Sequence, residues 1–175
     1  MGLRAWNGVV LAAVASIWLA SGTQREKPIL NEAQAVRVRG LETQVAQSPS
    51  DAAALRALAQ AYLDARVPGL ALNAIESAPT KVRREPTIDH LYARALLDQG
   101  RAVDALAAEQ RVLDTCEPAM DGSPRCDTWL LASATRRADI LRQLALLGVE
   151  DANLHPEASA VAYHNATREA RLAIR

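Results

Sequence analysis

Few side chains in this sequence are equipped for chemistry. Cys116 and Cys126 bracket Glu-Pro-Ala-Met-Asp-Gly-Ser-Pro-Arg, a loop rich in turn formers. So short a separation admits a disulfide, a pair of reduced thiols or a redox centre. The redox centre is the weakest of these, because the spacing is not that of a CxxC site. His90, His155 and His164 are the histidines, and no two of them stand at i, i+4 on one helical face. Hydrogen-bonded or solvated roles are therefore expected for them rather than metal ligation. The chain contains no His-Glu-x-x-His, no Gly-rich phosphate loop and no Gly-x-Ser-x-Gly elbow, and its carboxylates fall in helical charge patterns. No catalytic, cofactor or metal site is expected. Asn165-Ala-Thr167 matches a glycosylation acceptor but lies in an expected helix and is discounted.

The elements that position these residues are helical. Half of the 175 residues are apolar, yet only 3% are aromatic and there is no Phe. Alanine is abundant and β-branched residues are comparatively sparse, which favours close-packed helices over sheet. The 20 basic and 20 acidic residues cancel and are interspersed, so the footprint of a nucleic-acid binder is missing.

Residues 1–22 carry one charge, Arg4, and then an apolar run from Val9 to Ala20 broken by Ser16. This fits an export signal, with cleavage after Gly22 of the small-x-small site. An uncleaved anchor over residues 5–22 fits equally well, and a buried core helix is the lesser alternative. Thr23 stands where a lipoprotein needs Cys. Residues 23–30 read as a polar linker. Asn31 and Gln34 then form a capping-box pattern, opening a helix striped by Ala35, Val38, Leu41 and Val45 that ends before Pro49. Ser50 is a good cap for the next.

From Asp51 one face carries Leu55, Leu58, Ala59, Tyr62 and Leu63, stopped by Val67-Pro68-Gly69. A second helix carries Leu70, Ala71, Ala74, Ile75 and Ala78 and stops at Pro79. Between Pro86 and Pro118 the unit recurs: Ile88, Leu91, Tyr92, Ala95 and Leu96 form one face, Gly100 ends it, and Ala102, Ala105, Leu106, Val112 and Leu113 restart it. Ala59 and Ala93, Ala71 and Ala105, Ala78 and Val112, and Leu63-Asp64 and Leu97-Asp98 are all 34 residues apart.

A helix-turn-helix period of 34 resembles the tetratricopeptide repeat. Leu55, Leu58-Ala59, Tyr62, Ala71, Ile75 and Ala78 match one repeat; Tyr92-Ala93, Leu96, Gly100, Ala105, Val112 and Pro118 match the next. The pattern's Trp is missing, Glu109 stands where an aromatic is wanted, and Pro79 shortens one helix. The resemblance implies an all-α, short right-handed superhelical array: a degenerate half repeat at 31–49 and repeats at 51–84 and 85–118. Two cysteines so close in an exported chain argue for a disulfide loop at 119–127, and beyond it, where the period is lost, a C-terminal helical pair at 128–175 reads as a cap. That pair is striped by Leu130, Leu131, Ala134, Ala138, Leu141, Leu144 and Ala145, ending at Gly148, and, after Pro156, by Val161, Ala162, Ala166 and Ala173.

First helices of tetratricopeptide repeats line a concave peptide groove. The resemblance therefore implies a binding face of Arg56, Gln60, Leu63 and Asp64 stacked on His90, Arg94, Leu97 and Asp98, suited to a carboxylate or acidic peptide. The alternative is that these are ordinary surface residues, or are covered by the C-terminal helices; the Lys and Asn of the family's carboxylate clamps are absent. The expected work is non-catalytic, binding a protein or peptide in the cell envelope. A self-associating structural protein and a periplasmic assembly chaperone are the alternatives, and a membrane contact is expected only through an uncleaved N-terminal segment.

Overall fold

A computed structural model describes residues 31–119 and 122–173, with side chains as far as residue 168. The expected export signal or anchor and the linker lie outside the described residues. Every regular element described is an α-helix: α1 (Glu32–Gln47), α2 (Ala52–Asp64), α3 (Pro68–Glu76), α4 (Thr80–Arg83), α5 (Pro86–Asp98), α6 (Ala102–Cys116), α7 (Thr128–Leu146) and α8 (Pro156–Ala173). None of them is long and apolar enough to cross a membrane.

Local chemistry explains most boundaries. The cap of α2 is Asp51, one residue later than the expected Ser50. Its carboxylate accepts the Ala54 N–H at 3.0 Å, and that bond, the largest influence, holds its pKa below the usual aspartate value. α2 ends through Arg66, which takes the left-handed conformation (φ 59°) more often given to glycine. Pro68 is the first residue of α3 rather than part of a stop, because proline's fixed φ suits the first helical position and its missing N–H costs nothing there. Pro79 does end that helix, and Pro86 opens α5 in the same way as Pro68 opens α3. Between these prolines lies α4, a single turn that the sequence pattern does not announce.

Consecutive helices pack on one another: α1 on α2, α2 on α3, α5 on α6, α6 on α7 and α7 on α8. The pair α2/α3 meets the pair α5/α6 because α5 contacts both α2 and α3. Helical periodicity turns Leu55, Leu58, Ala59 and Tyr62 of α2, and Ala71, Leu72 and Ile75 of α3, into the core. Opposite them α5 and α6 bury Ile88, Ala93, Ala95, Leu96, Ala105, Ala108 and Val112. Alanine at so many of these positions lets the helices approach closely. Leu70, Leu131 and Val161, expected in the apolar stripes, lie on exposed faces; each is rotated about a quarter turn from the line its neighbours bury.

The C-terminal pair is tied down in two places. Cys116 and Cys126 form a disulfide with Cα atoms 5.2 Å apart, joining the last residue of α6 to the approach of α7. Beneath it Val112, Cys116, Leu130 and Ala134 make one buried cluster. At the opposite end Gly100 turns between α5 and α6 with φ 76°, and a Cβ there would lie 2.4 Å from the Asp151 side chain. The α7–α8 connection folds over this turn, the Ala102 N–H donating to the Glu150 carbonyl at 3.0 Å.

Candidate functional site: recesses between α2, α5 and α7

Residues four apart on a helix share a face, so Arg56 and Gln60 of α2 stand in line, as do His90 and Arg94 of α5. The contact of α2 with α5 places these lines side by side. They border two recesses. One, about 380 Å³, is lined by Arg56, Ala57 and Gln60, by Thr87, His90 and Leu91, and by Asp127, Trp129 and Leu130. The other, about 510 Å³, is lined by Leu63, Asp64 and Arg66, by Arg94 and Asp98, and by Pro68 and Asn153. Of the residues expected at the binding face, Arg56, Gln60 and His90 thus fall in the first recess and Leu63, Asp64, Arg94 and Asp98 in the second. Leu97 is half-buried and lines neither.

Two of these residues are placed differently from the expectation of an open face. Leu63 is only 3% exposed, so it forms floor rather than apolar contact surface. His90 is 5% exposed and already committed. Its Nδ1 lies 2.9 Å from Glu109 Oε2, and its Nε2 lies 3.0 Å from Ser133 Oγ. A carboxylate only accepts, so Nδ1 donates to Glu109, while Nε2 shares a hydrogen bond with the Ser133 hydroxyl. Arg137 Nη1 binds Glu109 Oε1 at 2.7 Å and the His90 carbonyl at 3.0 Å. The cluster joins α5, α6 and α7, with Glu109 wholly buried.

Ser133, His90 and Glu109 form one hydrogen-bonded chain. Arg137 occupies the second oxygen of the carboxylate and stands 3.3 Å from His90 Nδ1. Ser133 lies inside α7. The arrangement fixes how α7 is rotated against α5. The Glu109 that departs from the repeat pattern is thus the centre of the fastening.

Its consequence lies one turn away. Trp129 stands edge-on to His90, ring centroids 6.3 Å apart and planes at 84°, and is 69% exposed at the mouth of the first recess. Beside it Arg56 has no hydrogen-bond or ion-pair partner among the described residues. Gln60 donates to Asp64 at 2.6 Å. Asp98 has its carboxyl pushed up by burial, against the opposing pull of Arg94 and Arg137. The floor of the first recess is apolar, with Arg56 and Trp129 at its rim; the second sets Asp64, Arg66, Arg94, Asp98 and Asn153 around Leu63 and Pro68. Among the described residues no group of His, Cys, Asp and Glu is placed to hold a metal ion.

Sequence reasoning missed Trp129, Thr87, Asp127 and Asn153. Trp129 had one signal, in that it sits between the apolar stripe of α7 and its polar face. Thr87, Asp127 and Asn153 had none, since they join the recesses only through the packing of the C-terminal pair. No family model, curated protein or solved structure matches this chain.

Proposed function

We propose that this chain is an exported, non-catalytic scaffold of the tetratricopeptide kind that holds a peptide segment of a partner protein between α2, α5 and α7. One observation carries the reading: the exposed indole of Trp129 and the guanidinium of Arg56, which has no partner among the described residues, flank an apolar-floored recess of about 380 Å³. Tryptophan and arginine are the residue types that most often dominate interface energy, and most of the Trp129 indole surface is exposed. The occupant that suits the recess has a large apolar side chain next to a carboxylate, the first seated beside Trp129 and the second paired with Arg56.

The repeat assignment is supported by the 34-residue offset and by the contact of α5 with both helices of the preceding pair. Export, to the periplasm or with residues 5–22 kept as an anchor, is supported by the disulfide, since such bonds persist in oxidising compartments. An assembly chaperone would use the same recess.

Peptide display against the full chain tests this. Enrichment of apolar residues adjacent to Asp, Glu or a C-terminal carboxylate is expected. Trp129→Ala and the pair Arg56→Glu with Arg94→Glu are expected to lose capture while the oligomer mass stays unchanged. Absence of enrichment, or capture undiminished in both variants, would remove the reading. A second reading, self-association, is favoured by Leu146 and Leu154, which are 74% and 73% exposed at one end of the C-terminal pair. It predicts a concentration-dependent mass that falls when both are changed to Ser.

A further inference from the structure

The irregular join between α3 and α5 builds a further cavity, apart from the two recesses described above. Because Pro79 ends α3 and Pro86 begins α5, the intervening turn α4 brings Arg83 and Arg84 to a crevice whose other walls are α5 and α6. The crevice is about 360 Å³, within the range of small-molecule clefts, roughly 300 to 1,000 Å³. Arg101 and Arg111 complete its cationic lining, against Glu76, Asp89 and Asp104. The formal balance is four guanidiniums to three carboxylates.

How those groups are already engaged decides what the crevice takes. Asp89 is buried and held by Arg111 through Nε at 3.2 Å and Nη2 at 2.8 Å. Asp104 is held by Arg101 through Nε at 2.8 Å and Nη2 at 2.7 Å. Glu76 accepts the Tyr92 hydroxyl at 2.8 Å. Each acid therefore has a donor already, and none of these contacts joins an acid side chain to the arginines of α4 and its cap. Arg83 spends a single donor, Nη1 to the Glu76 carbonyl at 3.2 Å, and the Arg84 side chain has no partner among the described residues. Arg101 keeps its Nη1 donors. Uncommitted guanidinium donors thus line a cavity whose apolar wall is made by Tyr92, Leu96 and Ala107.

We propose that this crevice binds a small polyanion bearing phosphate or clustered carboxylate groups, held by Arg83, Arg84 and Arg101. Guanidinium matches either group with paired, charge-assisted hydrogen bonds. A monoanion is too weakly held against solvent and salt, so two or more charges are required. The site does not depend on the peptide recess, with which it shares no lining residue.

Calorimetric titration of the full chain at physiological ionic strength tests it, with pyrophosphate as the phosphate probe and citrate as the carboxylate probe. Saturable binding of at least one is expected. Pyrophosphate alone would identify a phosphate ligand and citrate alone a carboxylate ligand. Arg83→Ala with Arg84→Ala is expected to weaken binding by at least about tenfold with an unchanged helical spectrum, while Trp129→Ala binds the anion as the parent does. Absence of saturable binding for both probes, or equal affinity in the Arg83/Arg84 variant, would overturn the proposal.

Discussion

The two junctions of this helical stack are fastened in different ways. Where α2/α3 meets α5, the buried groups are hydrocarbon: Leu55, Ala71, Leu72, Ile75 and Ile88. The polar contact there, Tyr92 with Glu76, lies at the exposed rim. Where α5/α6 meets α7, apolar residues such as Val112, Leu130 and Ala134 are joined by the polar set His90, Glu109, Ser133 and Arg137 and by a disulfide. Apolar contact is non-directional and tolerates small rotations. A hydrogen-bonded cluster does not, because each lost bond strands a buried group. The second junction therefore sets the rotation of α7, and with it the position of Trp129 over the first recess.

The most damaging test of that contrast is Glu109→Ala. It leaves His90 without its acceptor and Arg137 without its carboxylate, and a loss of about 3 to 5 kcal/mol is expected in urea unfolding. A loss under about 1 kcal/mol would show that the cluster fastens nothing. Replacing the set together, His90→Leu, Glu109→Leu and Arg137→Met, is expected to recover most of the stability. It should also free the orientation of Trp129, read as a change in its fluorescence.

Removal of the disulfide by Cys116→Ser with Cys126→Ser comes next, at about 2 to 3 kcal/mol in the chain-entropy account, checked by the unfolding midpoint with unchanged m. At the apolar junction, Ile75→Val should cost about 1 kcal/mol and leave Trp129 unaltered; an altered indole signal would mean that the two junctions are not independent. The smallest effect is at Asp98, whose carboxyl is pushed up by burial. A raised acid favours the folded state while protonated, and this contribution is lost as pH rises through the folded-state value. Asp98→Asn should therefore compare better with the parent at neutral pH than in acid, measured by thermal unfolding at both. The opposite trend would place the Arg94 attraction ahead of desolvation.

Much of the helical scaffold was legible before any coordinates. Pro79, Pro86, Gly100, Gly148 and Pro156 punctuate helices because proline and glycine act through the local backbone, and the stripes around Leu55, Ile75 and Val112 follow from helical period alone. The cysteine pair was legible for a similar reason, since a separation of 10 residues leaves little freedom. One further signal was available and underused: Glu109 interrupts the apolar line Ala105, Val112, Cys116, and a carboxylate on a core face requires a buried partner. That partner could not be named from the sequence. His90 lies 19 residues before it and Arg137 28 after, with nothing local to link them.

The residues themselves thus determined helix content, helix limits, the paired arrangement and the loop that the disulfide closes, since each depends on interactions within a few residues of chain. Tertiary packing alone decided that His90 lies inward, that Arg56 stands beside Trp129 without a partner among the described residues, and that α4 carries arginines to a crevice opposite Arg101. Each of these depends on the rotation of one helix against another, which burial of ring and guanidinium groups sets only once the whole stack has closed.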